Sequence, residues 1–241
     1  MRYAILSDIH GNLEALQAVL ADATPRTDAL LCLGDVVGYG PDPVRCLDAV
    51  TARAVAMVGG NHEQAVAGRL SLDWFNPYAR AAAEWTSERL DEDQREYLGG
   101  LPLVAEIADA TIVHASPARP EEWHYLVEAE DGFEAFAGFA SRLCFVGHSH
   151  RPAVWSLGSS GPEYAPGLID VRLEAGRRYI VNVGSVGQPR DHDPRASYVV
   201  WDVEARWIEG RRVGYDTSTT RRKIVQAGLP QFLADRLRVG T

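Results

Sequence analysis

Apolar residues in this chain come in short runs that stop abruptly at polar ones. The run ending at Leu6 reads as a buried strand and gives way to Ser7, Asp8, His10, Gly11 and Asn12. From Asn12 to Leu20 apolar residues recur at helical spacing (Leu13, Leu16, Ala18, Val19, Leu20), so this loop opens into a helix. The figure repeats: 29–33 runs into Gly34-Asp35, 54–58 into Gly59-Gly60-Asn61-His62-Glu63, 111–113 into His114, and 143–146 into Gly147-His148-Ser149-His150. A helix is expected to start near Pro43, because proline suits a first helical turn. Strands alternating with helices at this spacing predict βαβ units and a largely parallel sheet. Residues 65–101 read as helical, with Trp74, Phe75, Tyr78, Trp85 and Tyr97 spread along them, either packing these helices onto the body or forming a cap over a site. A hairpin is expected over 103–107 and 111–114, and a helix in the second half of 123–139. The last third shows short β-type runs at 153–156, 168–173, 179–183, 197–202 and 206–213, which suggest a second, more antiparallel sheet. A charged helix from Thr217 and a short one ending near Leu237 follow.

Each of these five apolar runs therefore ends in a residue type that can hold a metal. In open α/β sheets ligands bind beyond the carboxyl ends of strands, where loops converge and helix N-termini present free N–H groups. His10, His62, His114, His148 and His150 all follow such runs, whereas His124 and His192 do not. A single histidine there is more often structural than a ligand. Five, joined by Asp8, Asp35 and Asn61 at matching ends, form a set. Mixed oxygen and nitrogen donors suit borderline divalent or trivalent cations in preference to a thiolate-loving site.

Composition narrows the reading further. The 241 residues are 46% hydrophobic and 24% charged, with no linker-like stretch, which predicts one domain over 1–241. No run is long enough for a membrane span, and the start lacks a signal-peptide pattern, so the expected location is cytoplasmic. Cys32, Cys46 and Cys144 share no metal-type spacing and read as small core residues. A net charge of −9, without any Lys/Arg run, argues against nucleic acid and anionic membranes as partners. A polyanionic substrate would depend on metal ions and a few arginines.

Asp8-x-His10, Gly34-Asp35, Gly60-Asn61-His62-Glu63, the lone His114 and Gly147-His148-Ser149-His150, in this order, resemble the calcineurin-like metallophosphoesterase superfamily. The stretches 182–191 and 227–237 resemble a bacterial branch of it related to diadenosine tetraphosphatases. The resemblance implies a four-layer αββα sandwich of two mixed sheets flanked by helices. It also implies two metal ions, manganese foremost and iron, zinc, nickel or cobalt as alternatives. Asp8, His10, Asp35 and His150 would hold the first, and Asp35, Asn61, His114 and His148 the second. Two departures stand out: Ala115 follows the lone histidine where the family usually has glycine, and Val36 to Gly40 lack the phosphate-gripping arginine of the protein phosphatases and symmetrical tetraphosphatases.

The implied reaction is hydrolysis of a small phosphorylated substrate, nucleotides included, by a metal-bridging hydroxide. His62 would be the general acid, with Glu63 holding its imidazolium form, and Arg190 would contact phosphate. A phosphodiesterase or nucleotide phosphoanhydride hydrolase is the first reading, since a diester depends less on the missing arginine than a monoester dianion does. The alternatives are a phosphomonoesterase or protein phosphatase, a nuclease, which the net charge disfavours, and a silent binding scaffold, which would ordinarily have lost ligands. The pattern leaves room for a homo-oligomer.

Overall fold

The structure, a computed structural model, describes residues 1–241. In chain order the strands are β1 (Arg2–Leu6), β2 (Ala29–Cys32), β3 (Ala54–Met57), β4 (Val104–Ile107), β5 (Ala110–Val113), β6 (Leu143–Val146), β7 (Ala153–Gly158), β8 (Gly161–Pro166), β9 (Val171–Arg172), β10 (Arg178–Asn182), β11 (Ala196–Asp202) and β12 (Trp207–Val213). The helices are α1 (Leu13–Ala23), α2 (Pro43–Thr51), α3 (Asn61–Val66), α4 (Pro77–Ser87), α5 (Glu92–Gly99), α6 (Ala129–Ala135), α7 (Thr217–Gln226) and α8 (Gln231–Arg236). One sheet has the order β3-β2-β1-β11-β12-β9 and the other β4-β5-β6-β10-β7-β8. The βαβ pairs β1/β2 and β2/β3 are parallel, as are β5/β6 and β6/β10, and the remaining pairs are antiparallel.

Alternation along the strands builds the layers, because successive side chains point to opposite faces. In β1, Tyr3 and Ile5 face the second sheet and pack with Leu31, Ile112, Phe145 and Val181 in the core between the sheets. Ala4 and Leu6 face outward onto a cluster containing Leu13, Leu16 and Val19 of α1 and Leu47 and Val50 of α2. On the far side, Cys144, Val146, Trp155 and Ile180 pack against Ala135 of α6. The result is the αββα sandwich. Each Leu or Ile fully buried here contributes about 1.5–3 kcal/mol. The three cysteines are free and buried, and no helix is long and apolar enough to cross a membrane.

The last third of the chain does not make a sheet of its own. β9, β11 and β12 complete the first sheet and β7, β8 and β10 the second, with β11 beside β1 and β10 parallel to β6. Local pattern marks a strand but carries no information on its partner. β8, with Pro162 and Pro166, went unread because prolines are tolerated at a sheet edge, where this strand lies.

Residues 65–101 contain α4, α5 and the end of α3. Their aromatics divide: Trp74 and Phe75 line a cavity, the Trp85 indole N–H donates to the Ala227 carbonyl, and Tyr78 stacks on Phe232 at 4.6 Å. Leu229, Leu233, Ala234 and Leu237, around and within α8, pack with Ala79, Ala82 and Tyr39, which brings the chain's end close to that cavity.

Candidate metal centre and active-site cavity

The β1–β2 ladder continues past both strands. The Asp8 N–H donates to the Gly34 carbonyl (3.1 Å), His10 N–H to Asp35 (2.9 Å) and Gly11 N–H to Val36 (2.8 Å), so the two carboxylate loops are zipped together. The Asn12 side chain then caps α1 through Ala15 N–H, worth about 1 kcal/mol. Five of the seven expected ligands, Asp8, His10, Asp35, His148 and His150, have φ between 50° and 65°. For non-glycine residues this left-handed conformation costs about 1–3 kcal/mol each and persists only where surrounding bonds fix it. His148 and His150 thus sit in a tight bend beyond β6. Close approach is built in by glycine: a Cβ on Gly147 would lie 2.5 Å from Asp8 Oδ2, and one on Gly38 (φ 85°) would lie 2.2 Å from His62 Nδ1.

Six of the seven residues converge, and Asn61 lines the same cavity as Asp35, His148 and His150. Asp8 Oδ1 lies 3.2 Å from His150 Nε2 and 3.7 Å from His10 Nε2. Asp35 Oδ2 lies between two histidine pairs, 3.7 Å from His10 Nε2 and 3.3 Å from His114 Nε2. His10 Nε2 faces His150 Nε2 at 3.1 Å, and His114 Nε2 faces His148 Nδ1 at 3.2 Å. The far nitrogen of each ring meets a backbone carbonyl: His10 with Val37 (3.1 Å), His114 with Leu33 (2.8 Å), His150 with Gln188 (2.6 Å) and His148 with Trp123 (2.9 Å). A carbonyl only accepts, so the neutral rings put their N–H there and leave lone pairs facing each other. Each pair therefore needs a proton or a cation between its members. Metal-ligating histidines are held in this way. Buried oxygens Asp8 Oδ1 and Asn61 Oδ1 have no hydrogen-bond partner, which also fits donors arranged for a cation. The Asp/His groups Asp8/His10/His150 and Asp35/His114/His148 are positioned for metal binding.

Electrostatics agree with that chemistry. Burial pushes His148 and His150 down to about 3, keeping them neutral as ligation requires. Burial also opposes charge on His114, but Asp35 and Asp8 outweigh it and raise its pKa to about 10. In the metal-free protein this histidine carries the proton that a cation would displace. Burial works against ionising Asp8 and Asp35, yet the surrounding imidazoles hold both well below the usual carboxylate range.

Glu63 departs from expectation. Its carboxylate accepts backbone N–H groups from Asp35 (2.6 Å), Val36 (2.8 Å), Val37 (3.3 Å) and Gly60 (2.8 Å), clamping the second and third loops together. It does not hold the His62 ring. The backbone N–H groups of two loops outcompete one imidazole for a fully buried carboxylate. His62 packs against His10, Tyr39 and Phe75, and its Nδ1 is buried without a partner. Burial pushes it to about 3, opposed by Asp35.

Above the cluster opens a cavity of about 580 Å³. Asp35, Asn61, His62, His148 and His150 line its floor, and Tyr39, Trp74, Phe75, Trp123 and Tyr125 its walls, with Arg190 among the lining residues. Tyr125 stacks on His148 with ring centroids 4.0 Å apart. Trp123, Tyr125 and Gln188 are not singled out by the sequence individually; they lie in the aromatic segment after His114 and in the glycine-containing stretch 183–191, both of which the sequence offers as pocket-forming.

Residues 1–206 match the calcineurin-like phosphoesterase superfamily domain. The chain belongs to that superfamily. It is a metallophosphoesterase, a hydrolase of phosphoric esters. The crystal structure of a metallophosphoesterase from Sphaerobacter thermophilus is 42% identical and superposes with a TM-score of 0.87 over 100% of this chain and 99% of that one. An uncharacterized protein of Methanocaldococcus jannaschii is 40% identical, covering 98% of this chain and 97% of its own. A symmetrical bis(5'-nucleosyl)-tetraphosphatase of Erwinia tasmaniensis is 27% identical over 63% of this chain and 58% of that protein.

Proposed function

We propose that this metallophosphoesterase is a phosphodiesterase or nucleotide phosphoanhydride hydrolase with two metal ions, one domain and a cytoplasmic setting. Asp8, His10, Asp35 and His150 hold one ion and Asp35, Asn61, His114 and His148 the other. Asp35 Oδ2, between the two histidine pairs, supports its role as the shared ligand. The donor set suits manganese and equally accepts iron, zinc, nickel or cobalt. When bound, such a pair supplies Lewis acidity toward water and the phosphoryl oxygens.

The chain's own groups do the rest. Arg190 lines the cavity beside His150 and takes a phosphoryl oxygen. His62, at the floor with no carboxylate on its ring, donates a proton to the leaving oxygen; the substrate's own negative charge raises its proton affinity from the low value burial imposes. The observation that carries the substrate class is the aromatic wall. Its rings offer apolar faces to a nucleobase or aryl group, which a phosphoserine peptide lacks. The tetraphosphatase relative adds weight to nucleotides. The test is kcat/KM with Mn²⁺, added after chelation, on a bis-nitrophenyl diester, a dinucleoside polyphosphate and a phosphoserine peptide. Either of the first two should be preferred, and a clear preference for the peptide would overturn the proposal.

A further inference from the structure

The segment 188–190 links the centre to the chain's last helix. Gln188, only 2% exposed, accepts the His150 ring N–H on its backbone carbonyl (2.6 Å). Arg190 returns the tie, its N–H donating to the His150 carbonyl (3.1 Å). The Gln188 side-chain oxygen accepts from two guanidiniums: Arg190 through Nη2 (2.8 Å) and Nε (3.3 Å), and Arg236 of α8 through Nη1 (2.8 Å). Neighbouring arginines behave differently: Arg195, Arg211 and Arg212 pair with Asp193, Asp22 and Asp191. Arg190 meets only a neutral acceptor, the shared amide, while Arg236 also donates through Nε to the backbone oxygen of Thr241.

Two cations on one buried amide oxygen repel each other, and burial together with Arg190 lowers Arg236 to about 10. Such an arrangement is relieved when an anion arrives. Docking of α8 does not require the guanidinium, since Leu233, Ala234 and Leu237 are already buried against Tyr39 and α4. Arg236 also lies beyond residues 1–206 that match the superfamily, and the loop after Asp35 lacks an arginine.

We propose that Arg236 is a positioning residue for phosphate recognition. It holds the Gln188 carboxamide from behind, so that Arg190 faces the cavity as a fixed cation that no carboxylate neutralises. The last helix thereby steadies the arginine at 190, where the Asp35 loop has none. This inference rests on the reading of Arg190 as the phosphate contact.

The experiment measures inhibition of the Mn²⁺-loaded enzyme by inorganic phosphate, with KM and kcat on a bis-nitrophenyl diester, in Arg190→Gln, Arg236→Gln, Arg236→Lys and the Arg190→Gln/Arg236→Gln double variant. Arg238→Gln, an exposed charge removed just beyond α8, is the control. Arg236→Gln should raise the phosphate inhibition constant and KM about three- to tenfold, the scale of weakening one hydrogen bond to a charged group. Its kcat should stay within about twofold, Arg236→Lys should recover part of the loss, and the double variant should be no worse than Arg190→Gln alone. Phosphate binding lost in Arg190→Gln but unchanged in Arg236→Gln would overturn this inference and leave the role of Arg190 standing. So would fully additive losses, or a lower melting temperature with unchanged phosphate inhibition. An unchanged constant in Arg190→Gln would remove the phosphate contact itself, and the inference with it.

Discussion

The floor of the cavity and its wall are built on opposite principles. At the floor and in the cluster just beneath it, Asp8, His10, Asp35 and His114 are at most 1% exposed. Their positions are fixed several times over, by zipped loops, carbonyl-anchored rings and the Glu63 clamp. At the wall, Trp74 is 86% exposed and Tyr125 53%. Their rings pack on neighbours or stand in solvent without comparable anchoring. The contrast reflects cost: strained, desolvated polar groups hold position only if every bond is supplied. Aromatic faces recognise by area and tolerate movement. Under the proposed function, reaction chemistry is fixed at the floor and substrate choice is open to change at the wall.

The largest effect expected from breaking the floor is at Asp35. Loss of a partner that merely orients a ligand costs about 10–100-fold in metal affinity, so Asp35→Ala should cost more than about 100-fold and lower the occupancy of both positions. Metal analysis of the purified variant decides this. Two tightly bound ions per chain would show that Asp35 is not the shared ligand. His62→Asn comes next. General acid catalysis is worth about 10²–10⁴-fold, so turnover of esters with alkoxide leaving groups should fall by that range, nitrophenolate esters much less, and metal content not at all. Equal losses for good and poor leaving groups would remove the acid role. The smallest effect belongs to the wall. Trp74→Ala should leave the melting temperature and metal content unchanged and raise KM for aryl or nucleoside substrates roughly two- to twelvefold, the worth of one aromatic pair. A loss of metal in that variant would mean that floor and wall are not independent.

Much of the floor is legible in the chain itself, because a strand end is a local event. An apolar run followed at once by Asp8, Asp35, Asn61, His114 or His148 requires no knowledge of distant residues, and alternation within β1 already assigns its two faces. The same locality explains what stayed hidden. Strand pairing in the last third depends on which edges are free after the first strands have paired, so β10 and β11 went to different sheets despite similar patterns. The left-handed backbone at Asp8, His10, Asp35, His148 and His150 is imposed by bonds from other loops. Glu63 follows His62 in sequence, yet the N–H groups that claim its carboxylate come mainly from residues 35–37.

The sequence by itself determined the strand ends, their donor residues and the chemistry those donors allow, since residue type and short-range periodicity suffice for each. Only the tertiary structure decided which nitrogen each histidine presents, what Glu63 holds, which aromatics reach the cavity and how Arg236 meets Gln188 across 48 residues. Those outcomes depend on contacts between residues far apart in the chain, where burial and competition among donors and acceptors, not local preference, select the partner.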